Sequence, residues 1–167
     1  MSSWRVARSL EKLRSQVNEL VPNRKKASDG TIGDQAHAAS KSDHNPLDHD
    51  HNPNTDGVVL AMDLTHDPTG GLDAGKLADA LVASRDDRIA YLIWNKRIVS
   101  RTVSPWRWRE YKGSNPHTKH IHMSVVHDEV RFDDIRPWII GPVVVLSPKT
   151  ESAFRRFFNW IYKGVGT

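Results

Sequence analysis

The stretch Asn115-Pro-His-Thr-Lys-His-Ile-His-Met-Ser-Val-Val126 decides how the rest of the chain is read. It alternates with the period of a strand: Ile121, Met123 and Val125 point one way, and His120, His122 and Ser124 the other. Imidazoles two residues apart on one strand face stand roughly 6–7 Å apart, given a rise of about 3.3 Å per residue. That separation suits a metal ligand beside a group that moves protons. His117 lies just before the strand, where a loop can swing it over the same face.

Working outward, the composition sets bounds. A chain of 167 residues, 38% hydrophobic and 26% charged, is one domain or one domain with a tail. A net charge of +4 suits an anionic polymer, either nucleic acid or a bacterial wall, without choosing between them. There are no cysteines, so disulfides and thiolate zinc sites are excluded and a transition metal must be held by His, Asp or Glu. The opening M-S-S-W-R-V-A-R-S-L-E-K-L is charged throughout and lacks the apolar run of a secretory signal. No segment reaches the ~20 apolar residues that span a membrane. The expectation is a protein made in a cytoplasm without a signal peptide, acting elsewhere only if something releases it.

Residues 3–20 read as an amphipathic helix, with Val6, Leu10, Leu13, Val17 and Leu20 at spacings of three and four and Pro22 ending the pattern. Residues 35–56 crowd His, Asp, Asn and Pro with hardly any apolar side chain, which marks a long polar loop. Gly57 to Thr65 follows as a strand. Asp63 interrupts its apolar run, and a carboxylate in such a strand must be paired, hydrogen-bonded or bound to a metal. A helix is expected over 73–84, then a hairpin of 90–94 with 97–101 about Asn95-Lys96. In Trp106 to Lys112, aromatic and cationic residues interleave, as in a substrate groove or an edge strand with snorkelling cations. Beyond 127 the character changes, and residues 128–167 read as an appendage to a domain of residues 1–127. Its basic-aromatic helix, S-A-F-R-R-F-F-N-W-I-Y-K, either packs on the domain or meets a membrane surface or a partner.

Together the polar loop supplies His44, the apolar strand Asp63 and the last strand His122. Two imidazoles and a carboxylate, with a fourth position left for water, compose a catalytic zinc site. The inserted residues Asp48, Asp50, Asn52, Asn54 and Asp56 alternate oxygen ligands ahead of Gly57, faintly like a calcium loop, but lack its closing Glu.

On these motifs, S-D-H-N-P, G-V-V-L-A-M-D and H-T-K-H-I-H, the chain resembles the M15 zinc peptidases over about residues 28–127. Those are D-alanyl-D-alanine carboxypeptidases and phage L-alanyl-D-glutamate endopeptidases that share the Hedgehog-type zinc fold. The wider strings also resemble peptidase modules from phages of actinobacteria. The resemblance implies an α+β domain whose small antiparallel sheet bears one zinc ion on His44, Asp63 and His122, flanked by helices, with an added C-terminal helix. It further implies hydrolysis of peptidoglycan stem peptides for phage-driven wall lysis, by an endolysin made in the host cytoplasm and released to the wall, or by a hydrolase carried on the virion. His120 and His117 are the expected proton-transfer residues. Ser42, Trp106, Trp108 and Arg109 are expected to meet substrate.

Two departures bear on this. The insertion between His44 and Asp63 leaves His49 and His51 as alternative first ligands, although only His44 has the S-x-H context. Lys119 stands where many members carry an acidic general base, which is why that role passes to His120 or His117. Two other functions compete: a non-catalytic, zinc-stabilised wall-binding module, and a metal-dependent His-Asn nuclease suggested by H-N-P and D-H-D-H-N. A strand-borne H-x-H argues against the nuclease, and no specific nucleic-acid partner is expected.

Overall fold

The histidine strand lies inside a sheet, with a neighbour on each side. The computed structural model describes residues 4–32, 42–47 and 57–141. Its elements run β1 (Arg5–Val6), α1 (Arg8–Leu20), β2 (Val58–Val59), β3 (Ala61–Thr65), α2 (Ala74–Ser84), β4 (Ile89–Trp94), β5 (Arg97–Ser100), β6 (Arg109–Glu110), β7 (His120–Val125) and α3 (Glu129–Phe132). Five strands form a sheet in the order β3-β7-β4-β5-β6, every neighbouring pair antiparallel. β1 and β2 make a separate parallel pair. The architecture is α+β, a small antiparallel sheet with few helices.

Strand alternation gives the sheet two different faces. One cross-strand row joins Met62, Met123, Leu92 and Val99, all buried. That face belongs to the core, with Leu10, Leu13 and Val17 of α1 and Leu77, Ala78 and Leu81 of α2. Each fully buried Leu or Val stabilises the fold by about 1.5–3 kcal/mol. The adjacent row, one residue out of phase, reads Asp63, His122, Ile93, Ile98 and Arg109. The period of two thus sends the hydrophobic set to the helices and the ionisable set to the opposite face.

Several boundaries differ from the sequence expectation. The first helix starts at Arg8, because Arg5 and Val6 pair with Val58 and Val59. Ala7 makes no side-chain cap; the Arg8 N–H donates instead to Asp133 Oδ1 at 3.0 Å. The run 57–65 divides at Leu60, whose N–H leaves the ladder to reach the Asp43 carbonyl at 3.0 Å. The Trp106–Lys112 alternation yields only two residues of strand. The β4–β5 hairpin turns at Asn95-Lys96 as expected.

The segment read as an appendage contributes core residues: Phe132, Trp138 and Ile140 are all buried. Gln16 holds Trp138 through both its backbone groups, and Trp138 Nε1 donates to the Ser9 carbonyl at 2.8 Å. At least to Ile140, the chain beyond 127 belongs to the same core. The C-terminal basic-aromatic helix, the calcium-like loop, His37, His49 and His51 lie outside the described residues. Among the described residues, no helix is long and apolar enough to cross a membrane.

Candidate metal centre and its cleft

Asp63 and His122 are placed by direct pairing of β3 with β7, which sets them opposite each other on one face. Asp63 is held on its other side by Gly30, whose backbone exchanges hydrogen bonds with it at 3.2 and 2.7 Å. His44 arrives from the loop before β2, which is tied down where Leu47 N–H donates to the Val58 carbonyl. Three atoms converge: His44 Nε2 to His122 Nδ1 is 3.1 Å, His44 Nε2 to Asp63 Oδ1 3.4 Å, and His122 Nδ1 to Asp63 Oδ1 3.1 Å.

Ligands about 2.0–2.1 Å from zinc at tetrahedral corners stand roughly 3.3–3.4 Å apart. The three atoms therefore form a triangle of the size zinc needs. The outer nitrogens are also committed. His44 Nδ1 lies 2.8 Å from the Thr31 carbonyl, which only accepts, so Nδ1 carries the proton and Nε2 keeps its lone pair. His122 Nε2 lies 3.0 Å from Ser124 Oγ; donating there leaves Nδ1 free to ligate. Such outer partners fix ring orientation and tautomer in metal sites. The donor set, two imidazoles and a carboxylate without sulfur, fits zinc.

Electrostatics agree with the geometry. Burial would raise the Asp63 carboxyl, but the facing imidazoles of His122 and His44, when they carry a proton toward it, outweigh this and hold the group well below the usual carboxylate range. Burial opposes protonation of His44, and Asp63 overcomes this and raises its pKa. The cluster thus holds a carboxylate anion facing imidazoles, an arrangement that a cation completes.

His117 and His120 join the same cluster. Their rings are 5.0 Å apart, and His117 lies 5.3 Å from His122. His117 Nδ1–H donates to the Asn115 carbonyl at 2.7 Å, leaving Nε2 as an acceptor. Its pKa is pushed down to about 4, by burial first and then by the neighbouring His122 and His120. His120 is also lowered, chiefly by burial. Its Nε2 stands 3.5 Å from Asp63 Oδ2, and both its ring nitrogens are buried without a hydrogen bond. Asp63, His117 and His120 form a second, looser group whose ligand atoms lie within 4.8 Å of one another.

These side chains open onto a cleft of about 270 Å³, whose lining includes Ser42, Tyr91, Ile93, Tyr111 and Asn115. Of the residues singled out in the sequence, His44, Asp63, His122, His117 and Ser42 line it, while His120 is not among its described lining residues and meets it only through Asp63, 3.5 Å away. Trp106, Trp108 and Arg109 are not among its described lining residues. Trp106 and Trp108 pack against the core, with the Arg97 guanidinium 5.0 Å from the Trp108 ring. Alternation is the reason: Arg109 shares a face with Ile98, which puts Trp108 on the other. His66 is structural, its Nδ1 accepting the Ala74 N–H at the start of α2, and His127 is exposed. Lys119 is exposed too, and its carbonyl accepts the His66 N–H.

Sequence reasoning missed Tyr91. Its ring stacks on His122 at 5.4 Å, and its phenol lies near Ser124 and the Asp43 carboxylate. Burial, then the Asp43 charge, push its phenol well up, so it stays a neutral hydroxyl. The available signal was its place in β4 next to the histidine strand, which no local motif marks. Compared with known proteins, the chain matches no family model, no curated protein and no solved structure.

Proposed function

We propose that this protein is a zinc-dependent peptidase that hydrolyses peptide bonds in peptidoglycan stem peptides. The observation that carries the reading is the convergence of His44 Nε2, Asp63 Oδ1 and His122 Nδ1 within 3.1–3.4 Å. The motif resemblance to M15 peptidases supplies the substrate class and the phage-lysis setting.

Zinc held by these three atoms would supply a Lewis acid and a bound water acidic near neutral pH. The chain's own residues do the rest. Asp63 stays ionised and fixes both imidazoles about one point. His117, neutral at pH 7, offers Nε2 as a proton acceptor while its Nδ1–H remains on the Asn115 carbonyl. His120, neutral and without a hydrogen-bond partner at either ring nitrogen, can accept or return a proton beside Asp63. This division of labour replaces the carboxylate that Lys119 displaces. Tyr91, Tyr111 and Asn115 bound the cleft in which a peptide is oriented.

The test compares wild type with His122→Ala for zinc content and for release of new amino groups from purified murein. One zinc per chain with amino-group release, both lost in the variant, is expected. Digestion that survives in His122→Ala overturns the reading, and so does a wild-type chain that binds no zinc. Zinc without any release would transfer the site to a wall-binding module.

A further inference from the structure

We propose that the sheet face bearing the metal centre ends in a second cleft, built by Arg109 and Arg101, that binds a carboxylate of the peptide substrate. The anion site stands on its own geometry; identifying the anion as part of a peptide rests on the peptidase reading above.

The pairing register puts Asp63, His122, Ile93, Ile98 and Arg109 in one cross-strand row on one face. Asp63 and His122 begin the row at the metal centre, and Arg109 ends it. Tyr91 lines both the first cleft and a second one of about 390 Å³ that includes Ile98, Ser100, Arg101, Val103 and Arg109. The two hollows therefore share Tyr91 as a common wall.

Arg109 Nη2 makes only a long bond to Ser100 Oγ at 3.3 Å, and its Nε is buried without a partner. Arg101 uses Nη1 on the neutral Asp87 carbonyl at 2.7 Å. Among the described residues, neither guanidinium has a carboxylate in ion-pair range, although most other arginines described here do. An unpaired guanidinium fork beside apolar Ala90, Ile98 and Val103 is suited to a planar anion on an aliphatic backbone. A carboxylate matches the two terminal nitrogens of a guanidinium in two parallel hydrogen bonds.

Three strand spacings of about 4.8 Å separate β7 from β6, so Arg109 lies roughly 14 Å along the row from His122. An extended peptide rising about 3.3 Å per residue covers that in about four residues. The substrate thus crosses the strands, its scissile bond at the metal centre and a carboxylate about four residues away on Arg109.

The test uses a fluorescein-labelled stem tetrapeptide with free carboxylates and the same peptide with every carboxylate converted to a carboxamide. Stopped-flow anisotropy reads their binding to the zinc-loaded wild type, Arg109→Gln and Arg101→Gln before turnover. Wild type is expected to prefer the acid by on the order of tenfold to a hundredfold, and increasing salt to reduce that preference. Arg109→Gln should abolish the preference while binding the amide as wild type does, which separates lost recognition from lost folding. Arg101→Gln should reduce it partly. Equal binding of acid and amide by wild type, or an undiminished preference in Arg109→Gln, overturns the proposal. The outcome is independent of cleavage: a preference that depends on Arg109 without hydrolysis keeps the anion cleft and removes the peptidase reading, and hydrolysis without that preference does the reverse.

Discussion

At the scale of single residues, the candidate centre depends as much on the groups behind the ligands as on the ligands. Ser124 is fully buried, and its hydroxyl pairs with His122 Nε2 at 3.0 Å. Ser124→Ala leaves that N–H buried without an acceptor and lets the ring turn. Loss of such an outer partner typically weakens metal affinity about 10–100-fold. Competition with a chromophoric zinc chelator should show a loss of that size with the fold intact; an unchanged affinity would mean that Ser124 does not orient the ligand. The sequence made His122 and Asp63 legible because alternation and an out-of-place carboxylate point to them, whereas His44 was preferred over His49 and His51 only through the S-x-H context of the resemblance. Thr31 could not be read, since it acts through a backbone carbonyl that any residue supplies. Arg109 was legible as a cation but not in its place: interleaved Trp and Arg residues do not say which of the two sheet faces each side chain joins.

At the scale of elements, the hairpin turn does more than reverse the chain. Asn95 N–H donates to the His117 carbonyl at 3.0 Å and Lys96 N–H to the Pro116 carbonyl at 2.9 Å, while the Lys96 carbonyl accepts from Tyr111 at 2.8 Å. The two turn residues therefore anchor the loop that presents His117. Both have positive φ, 46° and 63°, as a tight type I′ turn demands. A left-handed conformation costs a side-chain-bearing residue roughly 1–2 kcal/mol, which glycine avoids at a smaller entropic cost. Lys96→Gly keeps every backbone bond and is expected to raise the unfolding free energy by about 0.5–1 kcal/mol. Urea unfolding at neutral pH measures this, and a decrease would show that the exposed Lys96 side chain contributes more than its strain costs. Helix and hairpin positions were readable because their signals are local. β1 was not, because its partner β2 lies some fifty residues further along and the amphipathic pattern of α1 runs back through Val6 without a break. Pairings of that separation leave no periodic mark.

At the scale of the molecule, one buried arginine joins the sheet to the chain that follows it. Arg88 has no exposed surface; its guanidinium lies 3.7 Å from the Trp138 ring centroid and donates to the carbonyls of Asp134 and Arg136 at 2.9 and 2.7 Å. Asp86 neutralises it through Nε at 2.9 Å and Nη2 at 2.7 Å, and also accepts from Arg136. The compositional change after 127 reads as an appendage that either packs on the domain or serves association, and this contact shows how its Pro-punctuated first part packs. Burial would raise the Asp86 carboxyl, but the Arg88 hydrogen bonds and charge outweigh it and lower its pKa. A carboxyl whose folded pKa lies below its unfolded value of about 3.9 stabilises the fold above that pH and loses this contribution as pH falls through the folded value. Asp86→Asn removes the charge while keeping the shape. It should cost about 2–4 kcal/mol at pH 7, and the gap to wild type should close progressively below about pH 4. The other depressed carboxyls, Asp29, Asp63 and Asp67, are present in both proteins and cancel in the difference. Denaturant melts of the two proteins at pH 7, 5 and 3 make the comparison. A gap that stays constant down to pH 3 would mean that Arg88 is held by its carbonyls and the Trp138 ring, with the Asp86 charge contributing nothing.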